Sequence, residues 1–127
     1  MEIVLLIARV ILGLYFLMMG MNHFMMMANM VGFARSKNAP APEITVPFTG
    51  LMMIAGALSI GLGLWPVAGL ILLIAFLALA AFMMHNFWAI TDPQQRMGEM
   101  ANFTKNLALA AALLAQIPFT SDWTLTL

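Results

Sequence analysis

The stretch PVAGLILLIAFLALAAFMMHNFW, Pro66 to Trp88, carries no Asp, Glu, Lys or Arg. A helix needs roughly 20 mainly apolar residues to cross the hydrocarbon core of a bilayer, so this stretch predicts a membrane span. The chain around it agrees. Of 127 residues, 64% are hydrophobic and only 8% charged, and the mean hydropathy is +1.00. Such a chain has too little polar surface to cover itself in water, and its expected surroundings are a lipid bilayer.

Turn-forming residues divide the chain into four apolar segments. The first runs from about Ile3 to Met27. It is read as a retained helix, because Glu2 stands where a signal peptide would carry cations and the apolar run is too long. A polar connection follows over 28–46, in which NMVGFARSK (29–37) suits a short interfacial helix and APAPEITVP (39–47) is expected to be extended by its prolines. The second segment covers about 47–64 and the third about 66–88. Only Trp65 and Pro66 separate them, so they should be antiparallel neighbours. The fourth, about 93–117, opens with TDPQQ, in which Asp92 can cap the helix, Pro93 suits its first position and Gln95 completes a capping box. The apolar part of that segment, Leu107 to Ile117, is too short to span alone, and QQRMGEMANFTKN (94–106) is expected in the headgroup region.

Spanning segments must satisfy their backbone internally, so the expected fold is all-α, an integral membrane four-helix up-down bundle in one domain over 1–127. Helix contacts in lipid favour small residues, which the chain supplies at Gly13 and Gly20; at Gly50, Ala57 and Gly61; at Ala78 and Ala81; and at Ala108, Ala112 and Ala115. Arg35, Lys37, Arg96 and Lys105 all fall at one end of this bundle, called side B here, and Arg9 lies toward the other, side A. The positive-inside rule then makes side B cytoplasmic.

Counting helix directions also gathers the polar side chains at side B: Asn22, His23, His85, Asn86, Trp88, Lys105 and Asn106. Arg9, Gly13, Phe16, Gly20, His23 and Met27 are spaced by fours and threes and share one stripe of the first helix. Because ionisable groups inside a membrane face the bundle interior and often mark a site, these residues are the ligand-binding candidates and Arg9 the intramembrane charge. Structural hydrogen bonding and interfacial snorkelling account for the same residues without a ligand. No catalytic residue can be named.

The chain has no cysteine and 14 methionines, half of them between Met18 and Met30. Thiolate chemistry and Cys-ligated metals are therefore out. Methionine thioethers suit Cu(I), but consecutive methionines point in several directions and also serve as flexible apolar filler, so copper is disfavoured. A haem held between His23 and His85 is disfavoured too, since no CxxCH motif is present. No metal site is expected. A quinone asks for less, namely an apolar slot at the bilayer edge with a histidine or asparagine and an aromatic beside it. No basic cluster suggests nucleic acid. The sequon Asn102-Phe103-Thr104 is read as chance.

GMNHF (20–24), APAPE (39–43), TGLMMIAGALSIGLGLWP (49–66), HNFW (85–88), DPQQ (92–95) and NFTKNLALAAALL (102–114) together resemble the DoxX family of small four-helix membrane proteins. The resemblance implies a multi-pass protein of a bacterial-type cytoplasmic membrane, described in some relatives as an oxidoreductase component coupled to quinone. In others it implies a chaperone-like or receptor-like accessory role. His23, His85, Trp88, Lys105 and Asn106 correspond to recurrent family positions. One departure is that many relatives carry a glutamate early in the second helix, where this chain has Met53 before Gly56 and Ala57. The leading expectation is a redox-associated membrane component with a small quinone- or lipid-sized site at side B. The alternative is a non-enzymatic accessory subunit or assembly factor, with other membrane subunits or further copies of itself as partners.

Overall fold

The computed structural model describes residues 1–123, so the last four positions of the expected domain lie outside the described residues. Five helices follow in order: α1 (Glu2–Met25), α2 (Met27–Ser36), α3 (Pro42–Leu62), α4 (Pro66–Met84) and α5 (Pro93–Leu114). Short 3-10 turns occupy Phe87–Ala89 and Ile117–Asp122, and no strand occurs among the described residues. The stretches Glu2–Met25, Pro42–Leu62 and Pro66–Ala89 are each long and apolar enough to cross a membrane. The protein is an all-α integral membrane bundle.

α3 starts earlier than the prolines suggest. Pro42 takes the first helical position, where a missing N–H costs nothing, and Pro47 sits inside the helix. The turn is held from below: Thr45 Oγ1 donates to the Pro40 and Ala41 carbonyl oxygens at 2.5 and 2.7 Å. At side A, Gly63 (φ 76°) ends α3 in the left-handed region, and Ser59 Oγ ties the turn by bonding the Leu64 and Trp65 carbonyls. The reversal into Pro66 makes α3 and α4 the antiparallel pair that the short junction demands.

Backbones approach closely between α1 and α3, α3 and α4, and α4 and α5, while α2 packs on α3. The α1–α3 seam is made by glycine. A Cβ on Gly13 would stand 3.1 Å from the Ala57 carbonyl oxygen, and one on Gly20 would stand 3.0 Å from Met53 Cβ and 3.1 Å from the Gly50 carbonyl oxygen. The buried residues of α1 are Arg9, Gly13, Phe16, Gly20 and His23, the stripe expected from their spacing. The core joins Phe16, Met53, Ala57, Ile60, Leu70, Leu73, Leu77 and Leu113.

α5 corrects the small-residue reading. Ala108, Ala112 and Ala115 are exposed, while the inward stripe is Glu99, Asn102, Asn106, Leu109 and Leu113. Its four- and three-residue steps run from polar at side B to apolar at side A. Trp123 is 6% exposed and lies under Arg9, whose guanidinium carbon is 5.2 Å from the indole centroid. The apolar body of tryptophan thereby meets a buried cation face-on.

If the glycine seam sets helix spacing, Gly20→Leu should destabilise the folded protein by roughly 1–3 kcal/mol through overpacking. Gly32→Ala on α2, with open space around its Cβ, should be neutral or stabilising by up to about 1 kcal/mol. Unfolding of the two variants in detergent, followed by circular dichroism, checks the contrast.

Candidate functional site

At side B, α4 stops at Met84, and His85, at the C-cap with φ −116°, turns the chain back. Phe87 N–H donates to the His85 carbonyl at 2.9 Å and Ala89 N–H to the Asn86 carbonyl at 3.1 Å, closing the 3-10 turn that carries Trp88. The segment expected to be helical to Trp88 is therefore helical only to Met84, and its last polar residues project from a turn. Asp92 then caps α5, its carboxylate accepting from Gln95 N–H at 3.0 Å.

This reversal sets His85 against the first turns of α5. Its Nδ1 lies 2.6 Å from Glu99 Oε2, with both side chains about one fifth exposed at 20%. The carboxylate accepts, which puts a proton on Nδ1 and fixes the ring's orientation. A second tie crosses from α2: Lys37 Nζ donates to Asn86 Oδ1 at 3.2 Å, and the ammonium lies 5.6 Å from the Phe33 ring centroid. Arg35 pairs with Glu43 in the open, where such a contact adds little.

Between α2, the α4–α5 turn and the start of α5 lies an open cleft of about 560 Å³, bounded by Phe33, Lys37, Ile90, Gln95, Glu99 and Asn102. Where α4, the 3-10 turn and α5 meet, Phe82, Phe87, Trp88 and Phe103 pack with ring centroids 5.2 to 6.3 Å apart, mostly edge to face. Trp88, half exposed, belongs to this aromatic group, a fitting place for an amphipathic ring at a membrane edge.

The candidates thus separate into two levels. His85 and Asn86 belong to the cleft through their bonds to Glu99 and Lys37. His23 and Asn106 are buried deeper, at 8% and 7% exposure. His23 Nδ1 is 3.0 Å from the Met19 carbonyl oxygen and its ring meets Phe76 edge-on at 5.7 Å. The antiparallel contacts fix the level: His23 lies beside Gly50, Gly56 beside Leu73, and Phe82 beside Phe103. Carried across, these registers align His23 with the Ala78 region of α4 and with Asn106 of α5. His85 is about two turns of α4 nearer side B, so the two histidines do not face each other. Asn22 is half-buried, and Lys105 points out from α5.

Glu99, Lys37 and Asn102 line or close the cleft but were not among the sequence candidates. A signal existed in the spacing of Gln95, Glu99, Asn102 and Asn106, one polar stripe that would be unnecessary on a helix merely lying in headgroups. Among the described residues no three His, Asp or Glu side chains converge as a metal set. The methionine run does not converge either: Met18, Met21 and Met25 are exposed, while Met19 packs on the core.

A family model described as DoxX matches residues 4–86. The chain belongs to the DoxX family. It is also 30% identical over 113 residues to Inner membrane protein YphA of Escherichia coli (strain K12), covering 88% of this chain and 79% of that protein. No solved structure matches it. This DoxX protein is a multi-pass protein of a bacterial-type cytoplasmic membrane. The family match takes in His23, His85 and Asn86 and stops before Glu99, so the pair that closes the cleft lies half inside it.

The His85–Glu99 contact should hold α4 to α5. A double-mutant cycle with His85→Ala and Glu99→Ala, measured as unfolding free energies in detergent, is expected to give a coupling of about 1 kcal/mol for this partly exposed pair. A coupling near zero would mean the contact contributes nothing beyond proximity.

Proposed function

We propose that this protein binds the head group of a quinone-like amphipathic molecule in the side-B cleft and acts as the membrane component of a redox partner system. The observation that carries the reading is the opposition of Lys37 and Glu99 across a cleft open at the bilayer edge, each held by a second residue. An ammonium has three donors and Asn86 takes one, which leaves donors for a carbonyl oxygen. Glu99, oriented by His85, brings a carboxylate and an imidazole together, a pair suited to holding and exchanging a proton at the ligand's edge. Phe33 and Ile90 supply apolar wall for the ring. Electrons pass between the ligand and the partner system; this chain contributes recognition, orientation and proton exchange.

A second reading, an accessory or assembly subunit of a larger membrane complex, draws on the outer face of α1, where Met18, Met21 and Met25 present adaptable thioethers to whatever adjoins them. Stable co-purification with such a complex, without quinone binding, would favour it.

Binding of a short-chain benzoquinone to the protein in lipid nanodiscs separates the two. Lys37→Met should weaken it by about tenfold, the size expected for one charge-assisted hydrogen bond from the ammonium to a quinone carbonyl. Unchanged affinity in Lys37→Met would sink the cleft reading. The reading also puts side B at the cytoplasmic face, from the placement of Arg35, Lys37, Arg96 and Lys105. Since the chain has no cysteine, Gln94→Cys creates a single label site. A membrane-impermeant maleimide should reach it in inverted vesicles and not in intact cells.

A further inference from the structure

Below the cleft lies a second polar level, formed by His23 and Asn106, each more than nine-tenths buried at 8% and 7% exposure. Asn102, which lines the cleft, is one turn from Asn106 on the same stripe of α5, about 6 Å along the axis. Cleft and buried level are thus consecutive. His23 approaches α3 this closely because Gly50 has no side chain: a Cβ there would stand 2.7 Å from His23 Cβ.

The hydrogen bonding of His23 gives this level a chemical preference. Its Nδ1 faces the Met19 carbonyl oxygen, which can only accept, so Nδ1 carries the proton and Nε2 of the neutral ring is an acceptor. Among the described residues no side-chain hydrogen bond engages His23 Nε2 or the Asn106 carboxamide, and neither is a fully enclosed polar group, so both are open to a ligand. Polar groups at this depth are costly unless partnered, and an acceptor nitrogen is partnered by a donor. The carbonyl oxygens of an oxidised quinone offer no donor. The hydroxyls of its reduced form do, and the Asn106 amide can both donate and accept.

The bundle also has a side by which such a ligand can arrive. Close backbone pairs join α1 to α3, α3 to α4 and α4 to α5, while α1 and α5 pack less closely than these. Tyr15 and Met19 of α1 and Leu109 and Ala110 of α5 are only partly buried against the core. We propose that His23 and Asn106 are the floor of the head-group site and that they select the reduced, hydroxyl-bearing ligand, which enters from the lipid between α1 and α5. This rests on the quinone reading above and names the form that is bound. One hydroxyl donates to His23 Nε2 while the Asn106 amide N–H donates to the same oxygen.

The test uses the full chain in nanodiscs, with a short-chain benzoquinol and the matching benzoquinone measured without oxygen. The quinol should bind about tenfold more tightly, one hydrogen bond's worth of discrimination. His23→Leu and Asn106→Leu should erase or reduce that preference, whereas His23→Gln, whose side-chain oxygen accepts, should keep part of it. In protein labelled with nitrogen-15 at histidine, the His23 Nε2 resonance should move with quinol and stay put with quinone. This reading on the unaltered chain decides the matter even if a leucine variant fails to fold. Equal affinity for the two forms, or a preference surviving in folded His23→Leu, overturns the floor. Equal affinities that still fall with Lys37→Met would leave the cleft standing and remove only the floor. Failure to bind either form overturns both.

Discussion

Two backbones touching inside lipid is the constraint from which the rest of the molecule is arranged. Lipid tails are as apolar as leucine, so α1 and α3 gain little from hiding side chains from each other and must gain from contact itself. Gly13, Gly20 and Gly50 supply that contact by leaving room for carbonyl oxygens and for the His23 side chain. The same stripe of α1 that presents the glycines also presents Arg9 and His23. Packing and polarity are therefore one feature: the seam turns two costly side chains away from lipid, one toward each end of the bundle. Arg9 finds the Trp123 indole at side A, and His23 finds the Phe76 edge below side B.

Much of the frame is legible in the sequence because the bilayer imposes so few solutions. Apolar length gave three spans, the TDPQQ cap gave the start of α5, and three-four spacing gave the buried face of α1. The places where sequence reading diverged share a cause. Pro42 and Pro47 suggested extended chain, yet a proline at the first helical position is tolerated and Thr45 steadied the turn. The alanines of α5 suggested a contact face, but its buried face is the stripe through Asn106 and Leu113, and small size alone does not say which side of a helix is covered.

The candidate site was legible in composition and less so in geometry. Depth counting gathered His23, His85, Asn86 and Asn106 at one end, as observed, but could not resolve a two-turn difference in level between the histidines. That difference arises because α4 yields to a turn at Met84, bringing His85 out to Glu99 while His23 stays inside its helix. Lys37 and Glu99 looked like ordinary solvated charges, since neither lies within a span. Their roles come from partners 49 and 14 residues away in sequence, a relation no local pattern encodes.

The gradient along α5, polar at its start and apolar at its end, bears on how the protein is made. Glu99, Asn102 and Asn106 sit where an isolated helix would have to offer them to hydrocarbon, and such a segment partitions poorly by itself. α4, with no charged residue between Pro66 and Met84, partitions readily and carries His85 and the aromatic ring wall that receive α5. The α4–α5 hairpin is thus the smallest unit in which these polar groups are turned away from hydrocarbon, and the polar cleft depends on the same contacts that hold the two helices together.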